Sequence, residues 1–71
     1  MSEDIRAEIV AQVREVVARL GQLLAEGDPV VILESMKMEI PVLAEGGGTL
    51  TSIAVRAGDV VKEGDLIATV E

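Results

Sequence analysis

The sequence contains no cysteine and no histidine. Without cysteine the chain can form neither a disulfide nor a thiolate site, which fits a reducing compartment. Without both residue types, cysteine- or histidine-based catalysis is excluded, and the usual metal ligands are reduced to scattered carboxylates. We therefore expect neither a catalytic residue nor a metal site in this chain.

Aromatic residues are also missing, and basic residues are few. The lack of Phe, Tyr and Trp removes base stacking and aromatic cages for cations. Thirteen acidic residues against six basic ones give a formal net charge of −7. This charge argues against nucleic acid as a partner, because phosphate binding needs clustered Lys and Arg. Solubility and attraction to basic surfaces of partner proteins are the expected consequences.

Long hydrophobic runs are absent as well. The acidic residues 1–4 lack the apolar core of a signal peptide, and no apolar run approaches membrane-spanning length. We therefore expect a cytoplasmic protein without a membrane partner. Seventy-one residues allow one small domain near the lower limit of independent stability. The initial Met1 and the close fit of this domain to the chain favour a free-standing protein, and we expect a monomer in isolation.

What the sequence does contain is an internal repeat around the hexapeptide Ser35–Ile40. Residues 4–34 and 41–71 align without a gap at an offset of 37 residues (41 − 4). The identical pairs are Ala7/Ala44, Glu8/Glu45, Arg19/Arg56, Gly21/Gly58, Glu26/Glu63, Gly27/Gly64, Asp28/Asp65 and Glu34/Glu71. Two copies are too few for a solenoid, so the repeat indicates a pseudo-twofold domain whose halves are joined at Lys37.

Residues 5–26 give two conflicting signals. Their apolar residues recur at steps of three and four, which is typical of an amphipathic helix. The matching residues 42–63 contain Gly46–Gly48, and each glycine would cost a helix roughly 1 kcal/mol relative to alanine. Residues that favour strands follow these glycines. Because the two halves should share a backbone, we predict an all-β chain with no helix in residues 5–26.

Turn signals recur at matching places in the two halves. They are Gly21, Gly27-Asp28, Gly58-Asp59 and Gly64-Asp65. Pro29 can open a strand, and the apolar run Val30–Leu33 after it reads as a buried strand. Eight short strands with regular turns predict a small sandwich or flattened barrel. The first half departs from the second in having Gln22 where the second has Asp59, and Ala11 where the second has Gly48.

The sequence has two lysines, Lys37 and Lys62. Lys62 matches Ala25 in the repeat, so we interpret it as a solvated turn residue. Lys37 is flanked by Met36 and Met38 in a hairpin between apolar strands. Two methionines beside a turn lysine cannot both be buried, and exposed methionine suits a surface that another protein recognises. An incidental hairpin tip is the alternative interpretation.

The segment Glu34–Glu39, Glu-Ser-Met-Lys-Met-Glu, resembles the biotin-attachment motif of biotin carboxyl carrier proteins, which is usually Ala-Met-Lys-Met. The segment Gly58–Asp65, with its two Gly-Asp pairs, is also similar to that family. The resemblance covers residues 5–71 and makes residues 1–71 a single biotin/lipoyl attachment domain. It implies two four-stranded antiparallel sheets, with Lys37 on an exposed hairpin turn between the fourth and fifth strands.

The resemblance also implies a function. A biotin protein ligase would join biotin to the Lys37 ε-amine through an amide bond, and Met36 and Met38 would be recognised by that ligase. The biotin ring would then carry carboxylate from a biotin carboxylase site to a carboxyltransferase site. On this interpretation the domain is a non-catalytic carrier, modified by one enzyme and visited by two others.

Two other functions stay open from the sequence. The first is a lipoyl carrier of a 2-oxoacid dehydrogenase or glycine cleavage type system, with lipoate on Lys37. Lipoyl sites more often have Asp or Val before the lysine and Ala after it, so Met36 and Met38 favour biotin. The second is a small acidic interaction module in which Lys37 stays unmodified.

Overall fold

The structure is a computed structural model that describes residues 2–71. Those residues form eight β-strands and no helix, which confirms the all-β prediction, including residues 5–26. The strands are β1 (Glu3–Arg6), β2 (Ala11–Val16), β3 (Leu23–Leu24), β4 (Pro29–Ser35), β5 (Met38–Leu43), β6 (Gly48–Ile53), β7 (Val60–Val61) and β8 (Leu66–Val70). None of the described residues belongs to a helix that could cross a membrane.

The strands form two four-stranded sheets, as predicted, with the orders β1-β8-β6-β3 and β5-β4-β2-β7. Every strand pair is antiparallel. Strands β6, β7 and β8 begin 37 residues after β2, β3 and β4 (48 − 11, 60 − 23 and 66 − 29). Shifted by the same 37 residues, β1 falls within β5. Exchanging each strand for its counterpart therefore turns one sheet order into the other. The two sheets are therefore related by a pseudo-twofold operation.

The helix-like spacing of residues 5–26 has a simple origin in this fold. In β2, Ala11 and Val13 are buried while Gln12 and Arg14 are exposed, which is the alternation of a strand with one face on the core. The steps of three and four arise because the apolar residues come from three short strands and from the two loops between them, in which Ile9 and Leu20 lie exposed. The spacing across those loops follows no single period.

The core lies between the two sheets and consists of aliphatic side chains. Its buried members are Ile5, Ala7, Ala11, Val13, Ala18, Leu24, Val30, Val31, Leu33, Ala44, Leu50, Val55, Val61, Ile67, Ala68 and Val70. Many of them occur as repeat partners, such as Val13 with Leu50 and Leu24 with Val61. The two halves therefore contribute equivalent side chains to one shared core.

Gln22 performs in the first half the task of Asp59 in the second. The backbone N–H of Arg19 donates a 3.0 Å hydrogen bond to Gln22 Oε1, and the N–H of Arg56 donates a 3.0 Å bond to Asp59 Oδ2. Gly21, before Gln22, has a φ of 85°, a left-handed conformation that glycine adopts without a steric penalty. The turn needs a side-chain oxygen that accepts this hydrogen bond. An amide and a carboxylate both supply one, so the two turns form the same bond.

At Gly48 the two halves require different residues: alanine fits at the matching position 11 but not at position 48. A Cβ atom on Gly48 would lie 2.7 Å from the carbonyl oxygen of Glu71 and 2.9 Å from Val70 Cγ1. Two hydrogen bonds between the backbones of Thr49 and Glu71, of 2.6 and 2.8 Å, hold that carbonyl in place. The counterpart Ala11 carries its Cβ into the core without this obstacle. The difference between Ala11 and Gly48 is thus explained by local packing.

Candidate functional site

Lys37 lies in a two-residue turn that joins β4 to β5. Ser35 and Met38 face each other as the last cross-strand pair, so Met36 and Lys37 alone make the connection. Both have positive φ angles, 53° for Met36 and 66° for Lys37. Two consecutive left-handed residues define the type I′ turn, whose twist matches the twist of the flanking strands.

The residue types in this turn are unfavourable for its conformation. Type I′ turns prefer Asn-Gly or Asp-Gly, because a side chain raises the energy of the left-handed conformation. That conformation costs an ordinary residue about 1–2 kcal/mol. The regular pairing of β4 with β5, from Pro29↔Leu43 to Ser35↔Met38, holds the turn nevertheless. Such strain is typical of functional sites, where the surrounding structure imposes it.

Lys37 and the methionines around it are exposed. Met36 exposes 88% of its surface and Met38 58%. These methionines therefore do not belong to the core but form an apolar surface around the lysine. The ion pairs of residues 2–71 are made by Arg6 and Arg14, which leaves the Lys37 amine without a carboxylate partner. The amine is thus open to solvent and to other proteins.

The site lies at one end of a molecule that is 32 Å long. The two ends of the described residues 2–71 lie together, because Glu3 pairs with Val70. The Glu3 carboxylate accepts hydrogen bonds of 3.0 and 3.2 Å from the N–H groups of Glu45 and Gly46. These residues follow the end of β5, and β5 runs away from Lys37. The lysine and the termini therefore lie at opposite ends of the sheets.

The environment of Lys62 differs from that of Lys37. Its backbone N–H donates a 2.9 Å hydrogen bond to Asp65 Oδ2. At the repeat-related turn, Ala25 makes the same 2.9 Å bond to Asp28. The turn thus forms equally with lysine or alanine, and nothing in its geometry depends on the Lys62 side chain.

Sequence reasoning missed one residue beside the site, Arg14 on β2. Arg14 Nε lies 3.0 Å from Glu39 Oε2, and Arg14 Nη1 lies 3.3 Å from Glu34 Oε1. Both glutamates belong to the segment that resembles the attachment motif. One signal could have indicated Arg14: its repeat partner is the uncharged Thr51, so an arginine occurs at this position in the first half only.

Lys37 stands on a protrusion and not in a cavity. A groove of about 650 Å³ lies between β1 and β5, with Ile5 and Ile40 among its lining residues, but the Met36–Lys37 turn does not border it. An exposed amine on a protruding turn is suited to enter the active site of another protein.

Comparison with known proteins decides the family. Residues 2–70 match the biotin/lipoyl domain family described as biotin-requiring enzyme. The chain belongs to the biotin/lipoyl attachment family. A relative of this biotin/lipoyl attachment domain is the biotinylated protein TB7.3 homolog of Mycobacterium leprae (strain TN). It is 56% identical over 70 residues, which cover 99% of each chain.

Larger proteins contain a similar domain. The biotin-dependent acyl-coenzyme A carboxylase alpha3 subunit of M. leprae is 39% identical over 67 residues, which are 94% of this chain and 11% of that subunit. The crystal structure of Kluyveromyces lactis urea carboxylase superposes with a TM-score of 0.94 at 34% identity, covering all of this chain and 6% of that one. Together these similarities support a biotin carrier domain.

Proposed function

We propose that Lys37 of this biotin carrier domain is the residue to which a biotin protein ligase attaches biotin. The observation that supports this most directly is the turn itself. Its conformation presents an unpaired lysine between two exposed methionines, at the end of the molecule away from the termini. Lys62, on a turn that forms equally with alanine in its place, has no such setting.

The proposed reaction forms an amide. The Lys37 ammonium first loses a proton, and the amine nitrogen attacks the activated carboxyl carbon of biotin. The activating group leaves with its electron pair, and the nitrogen loses a second proton. Because no side chain of residues 2–71 hydrogen-bonds the amine, the ligase must supply both the activated biotin and the groups that accept these protons.

Met36 and Met38 would provide the apolar contact that the ligase recognises. Methionine is unbranched and adapts to the shape of a partner surface, so exposed methionines suit recognition by another protein. Their exposed surface around Lys37 would be buried only when the turn enters the ligase. Recognition would then be coupled to correct placement of the amine.

We further propose that the biotin ring carries carboxylate between a biotin carboxylase and a carboxyltransferase, in the cytoplasm. The names of the similar carboxylases support this role, and the fold suits it. The lysine stem is long and flexible, whereas the turn that carries it joins two paired strands of a four-stranded sheet. Such an arrangement allows the ring to reach two different active sites while the domain stays folded.

The test is an intact-mass measurement on protein purified from its native cell, followed by peptide mapping. A mass increase of one biotinyl group on Lys37 is the expected result. A lipoyl group would instead indicate the lipoyl carrier, and an unmodified chain would indicate the interaction module. Either result would refute the biotin assignment.

Two conservative variants test the position of the modification. Lys37→Arg should keep the fold and abolish streptavidin capture, because a guanidinium stays protonated and is a poor acyl acceptor. The matched control, Lys62→Arg, should change neither. Streptavidin capture that persists in the Lys37 variant would rule out the site, and loss of cooperative unfolding in that variant would contradict the exposed placement of its side chain.

A further inference from the structure

Arg14 makes a contact that the repeat does not duplicate. Its guanidinium bridges Glu34 on β4 and Glu39 on β5, at 3.3 and 3.0 Å. Its counterpart Thr51 instead donates a 3.2 Å hydrogen bond to the backbone oxygen of Thr69. The bridge is present in only one of the two halves. Its cause must therefore lie in the residues next to Arg14 and not in the shared fold.

The bridge spans a pair of like charges next to the turn. Glu34 and Glu39 are directly opposite each other across β4 and β5, one step before the closing pair Ser35↔Met38. Side chains so placed have Cβ atoms about 4.5–5.5 Å apart, and like charges at that distance destabilise the strand pair. The guanidinium of Arg14 offsets this repulsion where the two strands meet the turn.

A β-bulge aims Arg14 at this pair. In the ladder between β2 and β4, Val13 faces Leu33 and Glu15 faces Ile32, so that Arg14 is left without a partner. A bulge of this kind bends the strand and redirects a side chain. The arginine thereby reaches across β4 to β5, two strands away from its own.

We propose that Arg14 is a positioning residue that keeps the strained Met36–Lys37 turn in the shape that is modified. The proposal rests on the proposed attachment of biotin at Lys37. Because two left-handed residues weaken the turn, its formed fraction responds to small changes in the adjoining strand pair. Single exposed ion pairs contribute little, but here two pairs and the relief of one repulsion act on the same few residues.

Arg14→Gln tests the proposal in the full chain, with apo-protein as substrate of a biotin protein ligase. We expect kcat/KM for biotin transfer to fall by at most about three- to tenfold, the range that two exposed ion pairs can supply. The amide hydrogen exchange of Ser35 and Met38 should accelerate by a similar factor. Arg19→Gln is the matched control. It removes the same charge at the other end of the molecule, beside the turn that hydrogen-bonds Leu50, and should change neither quantity.

A second substitution separates positioning from direct contact with the ligase. In Arg14→Gln with Glu39→Gln the like-charge repulsion is gone, so the exchange rates of Ser35 and Met38 should return close to the wild-type values. Unchanged exchange in Arg14→Gln would overturn the proposal, whether or not biotin transfer slows. Wild-type protein that the ligase leaves unmodified would refute the proposed function, and the exchange rates would still decide whether Arg14 holds the turn.

Discussion

Met36 and Met38 place two large apolar side chains in solvent on either side of Lys37. Exposing apolar surface at a protruding turn gives the isolated domain no stability. The cost is understandable if the surface is buried in an encounter with an enzyme, because discrimination between substrates arises from contacts made in the transition state. The methionines would then be the surface by which the ligase recognises the domain.

This interpretation predicts the behaviour of Met36→Asp combined with Met38→Ala. Loss of an apolar contact costs on the order of 1–3 kcal/mol per side chain, so biotin transfer should slow tenfold or more. An aspartate would also carry a charge that an apolar ligase pocket must desolvate. Stability should change little, because Met36 is 88% exposed and Asp tolerates a left-handed conformation better than Met.

The measurement is a single-turnover biotinylation assay together with thermal unfolding. Leu20→Ala is a suitable control, because Leu20 is 64% exposed and lies in a turn at the other end of the molecule. Equal transfer rates in wild-type and doubly substituted protein would show that the methionines are not recognised. Slower transfer with an unchanged unfolding temperature would support recognition at Met36 and Met38.

The sequence predicts that Lys37 lies in an exposed hairpin turn, which the structure shows, but it does not predict the conformation of that turn. The pattern Met36-Lys37-Met38 at the centre of a repeat indicates the lysine directly. Nothing in those residue types indicates a type I′ turn, since neither Asn nor Gly is present. The strand pairing on both sides imposes that turn, and strand pairing is a property of the whole sheet.

At the level of single elements, Gly48 at the start of β6 is the most constrained glycine. Gly48→Ala should destabilise the domain by about 1–3 kcal/mol, the usual cost of overpacking. The reason is the backbone oxygen of Glu71, 2.7 Å from the new Cβ and fixed by its hydrogen bond with Thr49. The midpoint of urea unfolding, followed by far-UV circular dichroism, measures the effect.

Gly47→Ala is the control for this substitution. A Cβ on Gly47 would meet its nearest neighbour, the backbone oxygen of Leu24, at 3.4 Å, so the cost should be much smaller. Equal losses in the two variants would mean that glycine is needed for flexibility and not for space. Sequence alignment of the halves could not predict the difference, because the obstructing residue, Glu71, is identical to its repeat partner Glu34.

The choice between helix and strand for residues 5–26 shows how far the sequence can decide an element. Local spacing of Ile5, Ile9 and Val13 favours a helix, and local spacing is misleading here. The match with Gly46–Gly48 corrected it, because a backbone shared by both halves must suit the less permissive half. The first and last residues of each strand depend on which residues pair across the sheets. Short apolar segments do not determine this pairing.

For the molecule as a whole, the core is small and lacks aromatic side chains. A domain of this length has a total stability of about 4–10 kcal/mol, at roughly 0.05–0.15 kcal/mol per residue. Leu50→Ala removes a fully buried side chain and should cost about 2–5 kcal/mol. One substitution should therefore remove about half of the stability.

Leu23→Ala provides the matched comparison, since Leu23 lies on the neighbouring strand and is 77% exposed. Its unfolding midpoint should stay close to that of the wild-type protein. Far-UV circular dichroism is the suitable probe, because the chain has no Trp or Tyr to report unfolding by fluorescence. Similar losses in the two variants would contradict the burial of Leu50 between the sheets.

The two halves of the repeat are interleaved and do not form separate units. Strands β1 and β3 of the first half share a sheet with β6 and β8 of the second. The 37-residue offset predicts that the halves are alike, but not that each sheet draws strands from both. Neither half can bury its apolar face alone, so the domain should fold in one cooperative step.

The separation between Lys37 and the paired termini has a mechanical consequence. A tether joined to either end of the chain would leave from the same end of the molecule and would not cross the Met36–Lys37 turn. The domain could then move as one body about the tether, and the length of the tether would set how far the Lys37 end can reach. A flexible tether of n residues spans about 5–6 Å × √n. Reporter proteins fused to either terminus should therefore leave the lysine equally accessible.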